Sequence, residues 1–161
     1  MKAVVVTISD SCAAGSRVDE SGPFIAGRLQ GAGWTIGEQV VVPDDRLQIA
    51  ETLEKWATQG SVDVIITTGG TGFSLRDVTP EATLLVIDRR APGISEAIRL
   101  YGLNKGVPTA CLSRAEAGLR GTTLIVNLPG SLHAVQDGME VLLPLLPHAL
   151  EMMAGKGHGA R

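Results

Sequence analysis

The chain has 161 residues, 44% of them apolar, and a formal charge of −3. That length suits one compact domain with a substantial core. It carries no dense Lys/Arg run and no apolar stretch of about 20 residues, which argues against a general nucleic-acid binder and a membrane-spanning helix. Few aromatics beside many Ala, Val, Leu and Gly point to tight packing of helices on a sheet. Met1 and Lys2 lead straight into AVVVTIS, too short and too β-branched for a secretory leader, so a cytoplasmic protein is expected. Cys12 and Cys111 lie far apart and are expected as reduced thiols. With His133, His148 and His158 they make no zinc spacing.

Residues 2–8, KAVVVTI, predict a buried strand that ends in the polar stretch SDS. Ser21 is expected to cap a helix with Pro23 in its first turn, closed by Gly31 and Gly33. A second strand is predicted at 38–42, stopped by Pro43. Asp45 then caps a helix over 46–59 whose Leu47, Ile49, Ala50, Leu53, Trp56 and Ala57 share one stripe. VDVIITT, 62–68, predicts a central strand. Beyond a glycine-rich loop, Thr79 is the expected cap, with Pro80 at the first helical position and Glu81 at the positive helix end. A further helix is predicted over 93–101, and strands at 108–113 and 122–128. Ser131 opens a helix over 132–143, which Pro144 and Pro147 are expected to break or restart. Residues 1–153 are expected to form the domain and 154–161 a flexible tail.

Strands alternating with helices predict an α/β fold, a three-layer α/β/α arrangement with a mostly parallel central sheet. Right-handed crossovers would then bring the loops after the strands to one edge. Those loops are Ser9–Ser11, Pro43–Asp45, 69–77 and 127–131, and ligands of open α/β sheets bind at that edge.

The segment TTGGTGFSLRDVTPEAT, 67–83, carries the strongest chemical signal. Glycines let successive backbone N–H groups close on an anion; the plain alternative is a strand-to-helix turn. No Gly-Lys-Ser/Thr follows, and the third glycine of a dinucleotide fingerprint is missing. Asp77 and Asp44 are each explicable as turn or cap residues. Together on the ligand edge they would repel a phosphate by roughly 4 kcal/mol per pair of charges at about 4 Å. Mg²⁺ removes the conflict, because it takes one or two carboxylates plus phosphate oxygens. The pattern therefore suggests a Mg-nucleotide. Ser131 is either a cap or, with the helix start behind it, a second anion contact. Ser9 and Asp10 are turn formers or ligand contacts, and Arg76 and Arg114 are candidate phosphate contacts. No G-x-S-x-G elbow supports Ser-His-Asp hydrolysis.

TTGGTGFSLRDVTPEAT resembles the signature of the MogA/MoaB family of molybdenum cofactor biosynthesis, which includes the G domain of gephyrin-like proteins. TISDSCAAG, DESGPFIAGRL, VVPDD, APGISEAIR, LSR and NLPGS extend the resemblance over nearly the whole chain. It implies a molybdopterin adenylyltransferase, transferring AMP from Mg-ATP to the terminal phosphate of molybdopterin with release of pyrophosphate. It also implies a homotrimer and a molybdenum insertase as the next protein to hold the product. By motif, the functional and metal-holding aspartates fall on Asp44 and Asp77. The nucleotide loop falls on Gly69, Gly70, Thr71 and Gly72, and pterin contacts fall on Ser9, Asp10, Ser113, Asn127, Gly130 and Ser131. Two rivals stay open: a non-catalytic molybdopterin-binding scaffold, and a related domain that hydrolyses pyrophosphate bonds.

Overall fold

The computed structural model describes residues 1–155. In chain order the elements are β1 Lys2–Ile8, α1 Asp10–Ala13, α2 Ser21–Gly31, β2 Thr35–Val42, α3 Arg46–Ala57 and β3 Val64–Thr68. There follow α4 Thr79–Val86, β4 Arg89–Arg90, α5 Pro92–Asn104, a 3₁₀ helix Pro108–Leu112, β5 Ala117–Arg120, β6 Thr123–Leu128 and α6 Leu132–Met153. The sheet order is β2-β1-β3-β6-β5-β4. Pairings among β2, β1, β3 and β6 are parallel, whereas β5 runs antiparallel to β6 and β4 antiparallel to β5.

The alternating side chains of the central strands feed two cores. Val4, Val6, Ile8, Ile65 and Ile125 face α3 and α4, meeting Ile49, Leu53, Trp56, Ala82 and Val86. Ala3, Val5, Val64, Ile66, Leu124 and Val126 face the other way, against Ile25 and Leu29 of α2, Ile98 of α5, and Met139, Leu142 and Leu146 of α6. Both faces of the sheet are thus covered, which explains why β1, β3 and β6 read as unbroken apolar or Thr-rich runs. The three-layer α/β/α expectation is met.

Several local expectations are not. Residues 108–113 form no strand. Pro108 opens a 3₁₀ turn in which Ala110 N–H donates to Val107 O and Ser113 N–H to Ala110 O. Ala110 packs so closely on Gly102 of α5 that a Cβ on Gly102 would lie 2.6 Å from it. The strand in that region comes later, at 117–120, where Gly118 passes beneath Ile87 and the Arg89 carbonyl. Pro144 and Pro147 do not break α6, which runs unbroken through them. Both prolines are exposed, so their rings lie outside the packed core, while Leu142 and Leu146 hold the inner face of the helix in it. The tail expected at 154–161 lies outside the described residues from 156 onward.

Pro144→Ala should therefore restore a helical N–H without disturbing the core. Unfolding free energy is expected to rise by about 1–3 kcal/mol in urea titrations. An unchanged or lower value would mean that the ring itself makes a necessary contact.

Candidate active site

The four loops after the parallel strands meet at one edge. The parallel registers bring Ile8, Val42, Thr68 and Leu128 to the same end of the sheet. Hydroxyl groups then lash the loops together. Thr68 Oγ1 donates to Pro129 O at 2.7 Å, Ser21 Oγ to Gly130 O at 3.1 Å, and Thr79 Oγ1 to Gly69 O at 2.9 Å. Thr79 and Ser21 thus do not cap their helices, contrary to expectation; each is the first helical residue and binds a loop carbonyl. Asp45 and Ser131 do cap α3 and α6, accepting from Leu47 and Gln48 N–H and from Ala134 N–H.

Gly69 and Gly70 adopt φ of 100° and 63°, a backbone region costly for any other residue. A Cβ on Gly69 would strike the Ile8 carbonyl. Gly130 lies against Gly69, 3.2 Å from its Cα to where a Cβ would be. The bare backbone expected from the sequence is therefore required by close approach.

Two clefts open on this edge. One, of about 310 Å³, is lined by Ser9, Cys12, Arg17, Asp19, Asp44 and Gly69 among others. The other, of about 410 Å³, is lined by Thr71, Gly72, Arg99, Ser113, Asp137 and apolar groups of α5 and the 3₁₀ helix. Gly70, Asp77, Gly130 and Ser131 belong to both and form their shared wall. The residues expected on the pterin side are thus divided, with Ser9 in the first cleft, Ser113 in the second, and Gly130 and Ser131 between them.

Asp10 lines neither cleft. Its backbone N–H donates to Asp44 Oδ2 and its own Oδ1 accepts from Asp44 N–H, both at 2.9 Å. Arg76 grips the same carboxylate with Nε and Nη2 at 2.7–3.0 Å. That hydrogen-bonded guanidinium holds the Asp10 carboxyl below its ordinary range, helped by the Asp44 N–H. Asp10 thereby fixes Asp44 from behind. Asn127 also departs from a contact role. Fully buried, it donates from Nδ2 to Thr67 Oγ1 and Thr83 Oγ1, each at 2.9 Å, and accepts from Glu116 N–H. It joins β6 to β3, α4 and the chain before β5, and reaches neither cleft.

The two central carboxylates flank the glycine backbone. A Cβ on Gly70 would lie 3.0 Å from Asp44 Oδ1, and one on Gly72 2.9 Å from Asp77 Oδ2. Burial pushes the Asp44 carboxyl above its ordinary range; the charges of Asp10 and Asp77 push the same way, against the Asp10 N–H and Arg76. A cation between Asp44 and Asp77 would relieve that repulsion; these two carboxylates are the residues here that could hold one, since among the described residues no larger cluster of His, Cys, Asp or Glu forms.

The sequence alone does not single out Arg99 or Asp137. Asp137 is buried, accepts from Lys105 Nζ at 2.6 Å and has His133 Nδ1 at 3.7 Å. The i, i+4 spacing of His133 and Asp137 behind Ser131 is the signal that could have placed both on the cleft face of α6.

Residues 4–148 match the family described as a probable molybdopterin binding domain. The chain belongs to the MogA/MoaB family of molybdenum cofactor biosynthesis. It is 39% identical to a molybdenum cofactor biosynthesis bifunctional protein of Chlorobaculum tepidum, over 98% of this chain and 50% of that protein. A molybdopterin adenylyltransferase of Haemophilus influenzae is 38% identical over 87% of this chain and 72% of its own length. The crystal structure of the molybdopterin biosynthesis enzyme MoaB from Thermus thermophilus superposes with a TM-score of 0.89 at 43% identity, covering 96% of each chain. The chain spans about half the length of the Chlorobaculum relative, and less of the gephyrin and cinnamon proteins it also resembles.

The elevated Asp44 carboxyl has a thermodynamic consequence. A carboxyl raised in the folded state costs stability when ionised, and the cost fades as pH falls through the folded pKa. Asp44→Asn should therefore melt about 1–3 °C above the wild type at neutral pH, and the two curves should converge in acid. Thermal melts across that range test it; an Asn variant that is less stable at neutral pH would show no such repulsion.

Proposed function

We propose that this chain is a molybdopterin adenylyltransferase. A molybdopterin phosphate oxygen attacks the α-phosphorus of ATP, the bond to the bridging α–β oxygen breaks, and pyrophosphate leaves with that electron pair. The carrying observation is the shared wall: Gly70, Asp77, Gly130 and Ser131 face both clefts at once. A reaction that joins two phosphates needs two substrates whose phosphates meet while their rings lie apart, and two clefts with one common wall suit that need. Relatives named molybdopterin adenylyltransferase support the same reading.

The chain's own groups would act by position and charge. Gly70, Thr71 and Gly72 would bring backbone N–H groups to the polyphosphate, while Gly69, whose N–H is held by Leu128 O, sets the loop's height; the amino-terminal end of α6 behind Ser131 offers a further positive pole. Asp44 and Asp77 would hold Mg²⁺, which neutralises charge gathering on pyrophosphate. The attacking phosphate is already ionised, so no general base is required. The bifunctional relatives, of which this chain spans half, support a molybdenum insertase as partner. Free thiols at Cys12 and Cys111 suit a reducing, cytoplasmic setting.

The decisive assay incubates the protein with Mg-ATP, with and without molybdopterin. Pyrophosphate release that depends on molybdopterin is expected. Release without it would mark a hydrolase, and silence a scaffold. Asp77→Asn and Asp44→Asn, taken singly, should each slow transfer roughly a hundredfold, equivalent to about 3 kcal/mol, with molybdopterin still bound. Near-normal transfer by Asp77→Asn would sink the metal-site assignment.

A homotrimer is part of the same proposal. Leu84 and Leu85 of α4 and Leu100 and Leu103 of α5 are exposed, which suits contacts between subunits. Light scattering should give three times the chain mass; a stable monomer at micromolar concentration would remove the trimer.

A further inference from the structure

Arg114 does not extend towards either cleft; it turns into the back of the glycine loop. Its Nε donates to Gly72 O at 2.8 Å and its Nη2 to Asp77 O at 2.6 Å. Nη1 pairs with Glu81 at the start of α4, and the Arg114 backbone N–H donates to Thr71 O at 2.9 Å. One residue thus binds the loop at its beginning, at its end and at the helix that follows.

Arg114 is itself anchored. On either side of it, the carbonyls of Ser113 and Ala115 accept from Arg99 Nη1 of α5, each at 3.1 Å. A continuous chain of contacts therefore runs from α5 through Arg99 and Arg114 to the loop that carries Asp77. Within the loop, Asp77 Oδ2 accepts from Ser74 N–H at 2.8 Å, and Asp77 N–H donates to Ser74 O at 3.0 Å. That local turn fixes the shape of 74–77. On one side Arg76 ties it to Asp10 of α1; on the other, the Arg114 guanidinium ties the loop to α4 and the chain before β5. Its planar fork reaches two carbonyls five residues apart and a carboxylate in one geometry, which a single ammonium point charge does not.

We propose that Arg114 is a positioning residue, which clamps the 71–77 loop so that Asp77 stands on the wall shared by the two clefts. Its consequence for catalysis rests on the adenylyltransferase reading above; its consequence for the loop does not. Loss of the fork leaves Asp77 present but variable in place, and misplacement of a functional group by about 1 Å is enough to slow a reaction about a hundredfold.

The test uses Arg114→Lys and Arg114→Gln in the full chain, measured by hydrogen–deuterium exchange and by AMP-transfer kinetics. Exchange at amides of 70–78 should accelerate about tenfold in both variants, while β1, β3 and β6 stay within about twofold of the wild type. The kcat should fall by about tenfold or more in Arg114→Lys although the charge is kept, with the KM for molybdopterin within about twofold. Wild-type exchange at 70–78 in Arg114→Lys would overturn the proposal, as would a uniform rise across the whole sheet. A raised KM for ATP with an undisturbed loop would overturn it in favour of direct phosphate contact. Should Arg114→Gln fail to fold, Glu81→Gln weakens the anchor without removing the fork and should loosen the same amides to a smaller degree; no change there would count against the clamp. If the wild type transfers no AMP, the adenylyltransferase reading fails, and the exchange data alone decide the clamp.

Discussion

At Gly69 the ends of β1, β3 and β6 come so close that no side chain fits between them. Gly69 N–H donates to Leu128 O at 3.2 Å, its missing Cβ would meet the Ile8 carbonyl, and Gly130 lies against its Cα. The rest of the site depends on this contact. It sets the height of the glycine loop above the sheet, and so the position of Gly70 between the clefts and of Thr71 in the second. It also brings the carbonyls of Gly69, Pro129 and Gly130 within reach of three hydroxyls, from Thr79, Thr68 and Ser21. Polar groups buried at such a crossing must be paired, because an orphaned buried group costs about 1–3 kcal/mol. The hydroxyls meet that need without adding bulk.

Much of this was legible in the sequence, and the limits are instructive. The apolar runs at β1, β3 and β6 announce strands buried on both faces, and the glycines at 69–72 announce close approach. Asp44 and Asp77 follow from their places after β2 and β3. The serine and threonine at helix starts mislead, since the same short hydroxyl side chain suits a cap and a distant carbonyl equally well. Only the tertiary fold decides, and here Ser21 and Thr79 bind carbonyls. Pro108 to Ser113 reads as a strand from its apolar residues, but packing of Ala110 on Gly102 holds the segment against α5, away from the sheet. In α6 the prolines lose to tertiary burial, since Met139, Leu142 and Leu146 anchor the turns on either side.

Asn127 and Asp10 illustrate a related limit. Both lie beside the site in sequence, and a motif assigns them to the ligand. The structure gives Asn127 to the internal pairing of β6 with Thr67 and Thr83, and Asp10 to the support of Asp44. A sequence motif records that a residue matters near a site; the direction in which its side chain points is a property of the packed fold. Arg114 belongs with them. As an arginine after the strand expected at 108–113 it reads as a candidate phosphate contact, whereas its donors are directed at loop carbonyls and Glu81.

The strand order also bears on when the site comes into being. β3 binds β1 at a distance of about sixty residues, and β6 binds β3 at a similar distance. Such pairings close long loops before any contact rewards them, so they form slowly. Gly130 and Ser131, half of the shared wall, directly follow β6, which comes after the other five strands of this sheet in chain order. Asp44 and the glycine loop are made long before, yet they stand beside an unfinished floor until β6 slots in next to β3. Both clefts share Gly130 and Ser131, so neither has its full wall until β6 has docked beside β3.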